Sequence, residues 1–149
     1  MTPAEFDVSG QVVFVTGAGR GIGKGVAQVL AEADADVAIN ALTDKHVTPL
    51  ADDLAKATGQ TVIPVIGDVT NSDGAKRAVD EVLAKFGRID VLVNALGDSL
   101  RAPLVGLPGG ESAGDPISDD DLNFIMDINL TEALLCTRAV GPHMLARGS

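Results

Sequence analysis

The residues of this chain best suited to chemistry are three glycines at the start of a helical pattern. Residues 12–23 read Val-Val-Phe-Val-Thr-Gly-Ala-Gly-Arg-Gly-Ile-Gly. The four apolar residues Val12–Val15 predict a buried strand, and the glycines that follow predict a turn into a helix. Without a β-carbon the backbone turns tightly and lets a pyrophosphate approach the free N–H groups at a helix N-terminus. Gly17, Gly21 and Gly23 therefore form a candidate anion cradle, interleaved with Gly19, Arg20 and Ile22. The spacing departs from G-x-G-x-x-G, because the position of the third glycine, counted from Gly17, is Ile22. Taken alone, the stretch also reads as an ordinary glycine-rich turn.

Other chemistries find little support. The single Cys136 cannot form an internal disulfide, and the two His residues make no cluster at zinc spacing, so no metal is expected. Cys136 reads as a small buried hydrophobe. A formal charge of −10 with only 11 Lys and Arg opposes a nucleic-acid partner, which calls for a basic stripe. No apolar run approaches the ~20 residues of a membrane helix, and the acidic start is unlike a signal peptide, so a cytoplasmic protein without a membrane partner is expected. The 149 residues, 46% hydrophobic and without a Pro/Gly/Ser-rich linker, predict one domain over 1–149.

The elements that must position the glycines follow from periodicity. Ile22, Val26, Val29, Leu30 and Ala33 recur at helical spacing after the loop. Residues 36–40 predict a second strand. Val47, Leu50 and Leu54 predict a second helix, with Pro49 in its first turn and Gly59 as its stop. Residues 61–66 predict a third strand, which Pro64 assigns to a sheet edge. Ser72 is the expected cap of a third helix carrying Ala75, Val79, Val82, Leu83 and Phe86, and Gly87 closes it. Residues 91–93 predict a fourth strand, ending at Asn94-Ala95-Leu96-Gly97. Strands apolar on both faces, alternating with amphipathic helices, imply an α/β fold with a doubly wound parallel sheet of order 3-2-1-4 and flanking helices. A loop over 98–117 either borders a site or is a surface excursion. Ser118 then caps a helix rich in Asp at its start, with Leu122, Met126, Asn129, Ala133, Cys136 and Val140 on one seam and Pro142 kinking or ending it.

Four separated motifs, in order and covering nearly the whole chain, resemble the short-chain dehydrogenase/reductase family. Thr16 to Gly23, as Thr-Gly-x-x-x-Gly-x-Gly, resembles its cofactor loop. Asp68-Val69 resembles the pair that contacts adenine. Asn94-Ala95-Leu96-Gly97 resembles its Asn-Asn-Ala-Gly segment, with Ala95 and Leu96 in place of Asn and Ala. Asn129, within Ile-Asn-Leu-Thr, resembles the helix asparagine of the catalytic tetrad. Each has a plainer reading: Asp68 and Asn94 as residues bonding their own backbone, Asn129 as a polar residue on a packed seam.

The resemblance implies a Rossmann fold and hydride transfer between a nicotinamide cofactor and a small carbonyl or alcohol substrate. The alternative is a non-catalytic nucleotide-binding module or pseudoenzyme. Separately, the strand Val91 to Ala95 lies at a sheet edge yet is apolar on both faces, which predicts a longer chain or a homo-oligomer that covers it. An acidic residue ~20 positions past the glycine loop favours NAD by binding the ribose 2′-OH. Here the second strand ends Asn40-Ala41-Leu42 with no carboxylate before Asp44, and Arg20 could face a 2′-phosphate, so NADP is expected over NAD. Asn40 would then border the ribose; otherwise Arg20 is a solvated surface charge. The family's Tyr protonates the carbonyl, helped by a Lys four residues on, with a Ser holding the oxygen. The chain has no Tyr and ends at Arg147-Gly148-Ser149, ahead of the matching segment, so Asn129 alone of the tetrad is expected here. By itself the chain is expected to be inactive.

Overall fold

The computed structural model describes residues 7–106 and 114–148. Four strands, β1 (Val12–Val15), β2 (Asp36–Ala41), β3 (Val62–Ile66) and β4 (Val91–Val93), form one sheet of order β3-β2-β1-β4. All three pairings are parallel, with Val13 opposite Val37 on one side and Val91 on the other. This is the predicted order, and Pro64 lies on the edge strand β3, where its missing N–H costs no interior ladder bond.

The helices α1 (Gly21–Glu32) and α2 (Asp44–Thr58) cover one face of the sheet. There Val13, Val15, Val37 and Ile39 pack with Ala27, Ala31, Val47, Leu50 and Leu54. On the other face Val12, Phe14, Ala38 and Val65 meet Ala75, Val79 and Val82 of α3 (Ser72–Phe86) and Cys136 and Val140 of α5 (Glu132–Arg147). Successive side chains of β1 thus alternate between two cores, which is why all four are apolar and buried. Each fully buried Val or Phe contributes about 1.5–3 kcal/mol relative to exposure.

Several local expectations are corrected. Asn71, not Ser72, caps α3: its side chain accepts from Gly74 N at 2.8 Å, and Ser72 is the first helical residue. Pro49 lies inside α2, past its first turn, because the helix begins at Asp44 rather than near Val47. It is tolerated because it faces solvent, so the Lys45 carbonyl left without a donor can be hydrated. Gly59 and Gly87 end their helices as expected, at φ 79° and 73°. Pro142 does not end its helix, which continues to Arg147; it too sits on the solvent side.

The expected single helix after Ser118 is α4 (Asp119–Met126), a π-helical turn (Asp127–Thr131) and α5 in continuous succession. Ser118 caps α4 in a reciprocal pair with Asp121. The wide π turn shifts the phase of everything after it. Leu122 and Met126, before the turn, therefore do not share a face with the residues after it: they are exposed, while Glu132, Cys136 and Val140 are buried. The described parts of the 98–117 loop have no regular structure; residues 107–113 of that expectation lie outside the described residues.

Candidate functional site

In a parallel sheet every strand delivers its C-terminal end to the same edge, and here the edge is lined by the glycine loop after β1 and the 95–99 segment after β4. Thr16 N donates to Val93 O at 3.0 Å and Ala18 N to Asn40 O at 2.8 Å, so the loop is anchored to both neighbouring strands. Gly17 takes φ +61°, and a β-carbon there would lie 2.6 Å from Leu96 Cα. Gly21 takes φ +57°, with open space where its β-carbon would be. Both conformations disfavour other residues, the first because backbone approaches backbone. At Gly23 a β-carbon would meet Gly17 O at 2.6 Å, so the start of α1 packs directly on the loop.

Arg20 is the N-cap of α1 and makes no side-chain cap bond, and no acidic residue occupies the first turn of the helix. The partial positive charge of the helix start is thus left for an outside anion. A cavity of about 510 Å³ opens there, lined by Gly17, Arg20, Gly21, Ile22, Gly23, Ala95, Leu96 and Asn129, among others. A second, of about 240 Å³, shares Gly17, Arg20 and Leu96 with it and reaches Gly19, Ala41, Leu42, Thr43 and His46. The two form an elongated cleft of the size small ligands occupy.

Asn129 stands on the π turn at the far wall. Its side-chain amide donates to Asp98 O and to Ile125 O, each at 2.9 Å, and its Oδ1 faces Gly97. It therefore holds the 97–98 backbone against the helix rather than merely filling a seam.

Other expected residues fall elsewhere. Asn40 is 1% exposed, and its side-chain amide donates to Val65 O at 3.0 Å and Gly67 O at 3.1 Å. It clamps β2 to the end of β3, and Ala41 and Leu42 take its place at the cleft. Asp68 accepts from the hydroxyl and amide of Thr70, which hold its carboxyl below the usual carboxylate range. Val69 is buried in the core beneath it. Asn94 is exposed, with its amide 3.4 Å from Thr137 Oγ1. None of these four lines the two cavities.

Two features went unread in the sequence. His46 and Thr43 border the cleft because α2 starts beside Gly19, whose β-carbon would lie 3.6 Å from His46 Cβ. The signal was the position of His46 in the first turn of the helix that follows the second strand. Glu132 is 1% exposed, beside Thr16 and Cys136. Burial raises its carboxyl above the ordinary value, against the Thr16 and Cys136 hydrogen bonds, and burial with Glu132 nearby pushes the Cys136 thiol up to about 12. Among the described residues no group of three or more His, Cys, Asp or Glu could hold a metal, and no helix is long and apolar enough to cross a membrane.

A parallel sheet of order 3-2-1-4 with flanking helices and a glycine loop at the C-terminal end of its first strand defines a Rossmann-like fold. The family model for short chain dehydrogenases matches residues 11–149, and the chain belongs to that family. It is 35% identical over 146 residues to 2-dehydro-3-deoxy-D-gluconate 5-dehydrogenase of Pseudoalteromonas atlantica, covering 97% of this chain and 53% of that enzyme. It is 34% identical over 142 residues to 3-oxoacyl-[acyl-carrier-protein] reductase of Synechocystis, covering 95% and 53%. A short chain dehydrogenase from Mycobacterium smegmatis superposes with a TM-score of 0.82 at 30% identity, covering 96% of this chain and 54% of the other. The chain thus spans about half the length of the curated relatives it matches.

Proposed function

We propose that this chain is the dinucleotide-binding part of an oxidoreductase that transfers hydride between a nicotinamide and a small carbonyl or alcohol substrate. The observation that carries this reading is the glycine cradle with the uncapped, acid-free start of α1 opening into the cleft. The site residues fit such a group. Gly17, Gly19, Gly21, Ile22 and Gly23 would hold its pyrophosphate and Ala95 and Leu96 would flank it; a role for Asp68 and Val69 at the adenine end rests on the family resemblance alone, since neither lines the cavities. The nicotinamide cofactor, when bound, supplies or accepts the hydride. Asn129, by fixing the 97–98 backbone, keeps the far wall in place. The protein groups that would handle the substrate proton are the family's Ser, Tyr and Lys, and with no Tyr in its sequence the 149-residue chain is expected to be inactive by itself.

NADP is the preferred cofactor in this reading. Arg20 lines both cavities, His46 lies in the second, and Ala41, Leu42 and Thr43 present no carboxylate there. A charge-assisted bond to a 2′-phosphate is worth about 1.5–3 kcal/mol, or roughly 10- to 100-fold in affinity. Calorimetric titration of the intact protein with NADP⁺ and NAD⁺ tests this. NADP⁺ should bind more tightly, and Arg20→Glu should weaken NADP⁺ more than NAD⁺, by about that factor. Equal or tighter NAD⁺ binding by the unmodified protein refutes the preference. We further infer a homo-oligomer, supported by the exposed apolar side chains Phe124, Leu130, Leu134 and Leu145 along the α4–α5 segment; a cytoplasmic location stays an expectation from the sequence.

A further inference from the structure

Glu132 is the one buried acidic side chain among the described residues, and one of its oxygens, Oε1, has no hydrogen-bond partner there. A leucine or methionine would fill such a place without the cost of stripping water from a carboxyl. What the carboxyl does have is Thr16, the last anchor of β1 before the glycine loop, and Cys136, one turn along its own helix.

Thr16 is fully buried, and its Oγ1 accepts from Ala95 N at 3.1 Å. The hydroxyl keeps its proton to donate, and the Glu132 carboxyl beside it is an acceptor within reach. Ala95 in turn precedes Leu96, whose Cα is the atom a β-carbon on Gly17 would strike. A displacement of a few tenths of an ångström at 95–96 therefore moves a wall shared by both cavities. Glu132 also directly follows the π turn that carries Asn129, so one side chain ties the far wall to the strand beneath the near one.

We propose that Glu132 is a positioning residue of the dinucleotide site, acting through the Thr16 hydroxyl on the Ala95 amide and so on the Leu96 backbone that closes over Gly17. The proposal rests on the dinucleotide reading above, but the juxtaposition of Glu132, Thr16 and Ala95 does not. Glutamine can accept the Thr16 proton as the acid does, whereas methionine keeps the length and loses the acceptor.

The test compares the intact protein with Glu132→Gln, Glu132→Met, Thr16→Val and the Thr16→Val/Glu132→Met double variant. NADP⁺ affinity is measured below the unfolding midpoint of every variant, with amide hydrogen exchange at Ala95 alongside. Glu132→Gln should bind within about twofold of the unmodified protein. Glu132→Met and Thr16→Val should each bind about tenfold more weakly, the cost of one buried hydrogen bond left incomplete. Ala95 should exchange faster in both, and the double variant should be no weaker than the weaker single one. Should Glu132→Met not fold, Glu132→Ala carries the same expectation. Unchanged affinity and exchange in the folded apolar variant overturn the proposal, as do losses that multiply in the double variant. A lowered unfolding midpoint with no change in either readout also overturns it, by making Glu132 structural only. If the unmodified protein binds neither dinucleotide, the functional reading fails, and exchange at Ala95 still decides whether Glu132 controls that amide.

Discussion

Adding one methyl group at Gly17 or at Gly21 should separate the loop's two tasks, packing and anion binding. Both glycines hold a left-handed φ, +61° and +57°, and alanine in that region costs about 1–2 kcal/mol. At Gly21 nothing lies within 4 Å of the new β-carbon, so that is the whole cost to stability. For a chain of this size it lowers the unfolding midpoint by roughly 2–8 °C. At Gly17 the same strain is joined by a 2.6 Å approach to Leu96 Cα, which is backbone and must move as a segment. Overpacking of that kind adds about 1–3 kcal/mol, bringing the total to roughly 2–5 kcal/mol. Binding should rank differently. The open space at Gly21 is where an anion would reach the helix N–H groups, so Gly21→Ala should lose more than tenfold in NADP⁺ affinity despite its milder effect on folding. Thermal unfolding followed by circular dichroism and calorimetric titration give the two numbers. Equal midpoint losses at both positions would refute the packing argument, and unimpaired binding by Gly21→Ala would refute the placement of the anion.

Asn40→Ala should destabilise the fold by about 2–3 kcal/mol, because Val65 O and Gly67 O lose their donor in a buried setting; denaturant titration measures it, and a change below 1 kcal/mol would deny the clamp. Cys136, buried with its thiol pushed up to about 12, should resist iodoacetamide at about pH 8 in the native protein and react once unfolded, as mass spectrometry reports. Asp90 faces desolvation, which raises its pKa, but the Val12 amide, Arg147 and Arg88 outweigh it and hold the carboxyl below 3.8. Its folded value being depressed, the stability it contributes is present above 3.8 and lost as pH falls through the folded value, and Asp90→Asn should flatten that part of the acid unfolding curve.

Much of this was legible because the informative residues act locally. Gly59 and Gly87 stop helices by their own φ, and Pro64 marks an edge strand by lacking an N–H. Where two residues could do the same job, sequence resolved it only to within one position: Asn71 and Ser72 can both cap, and the side-chain bond to Gly74 decides for Asn71. The π turn was invisible in the sequence, and the Asn129 bonds that accompany it, to Ile125 O and to Asp98 O, include one 31 residues away. Missing that turn misplaced the seam at Leu122 and Met126, which are exposed, and left the burial of Glu132 unread. Asn40 was read from its place at the end of β2, but the direction of its side chain depended on β3 lying alongside.

The parallel order of the sheet also fixes how far apart in the chain the walls of the cleft lie. The Asn40 to Val65 clamp closes 25 residues, whereas the Thr16 to Ala95 bond closes 79. Loop-closure entropy grows with the logarithm of length, so the longer closure costs about 1 kcal/mol more. That cost falls on β4, which has only three paired residues and one neighbour to repay it. Of these two closures, the one at the cleft is therefore the more entropically expensive to make. A ligand bridging the glycine loop and Leu96 would act as a cross-link across that longer closure, raising the cost of opening the sheet at β4 specifically.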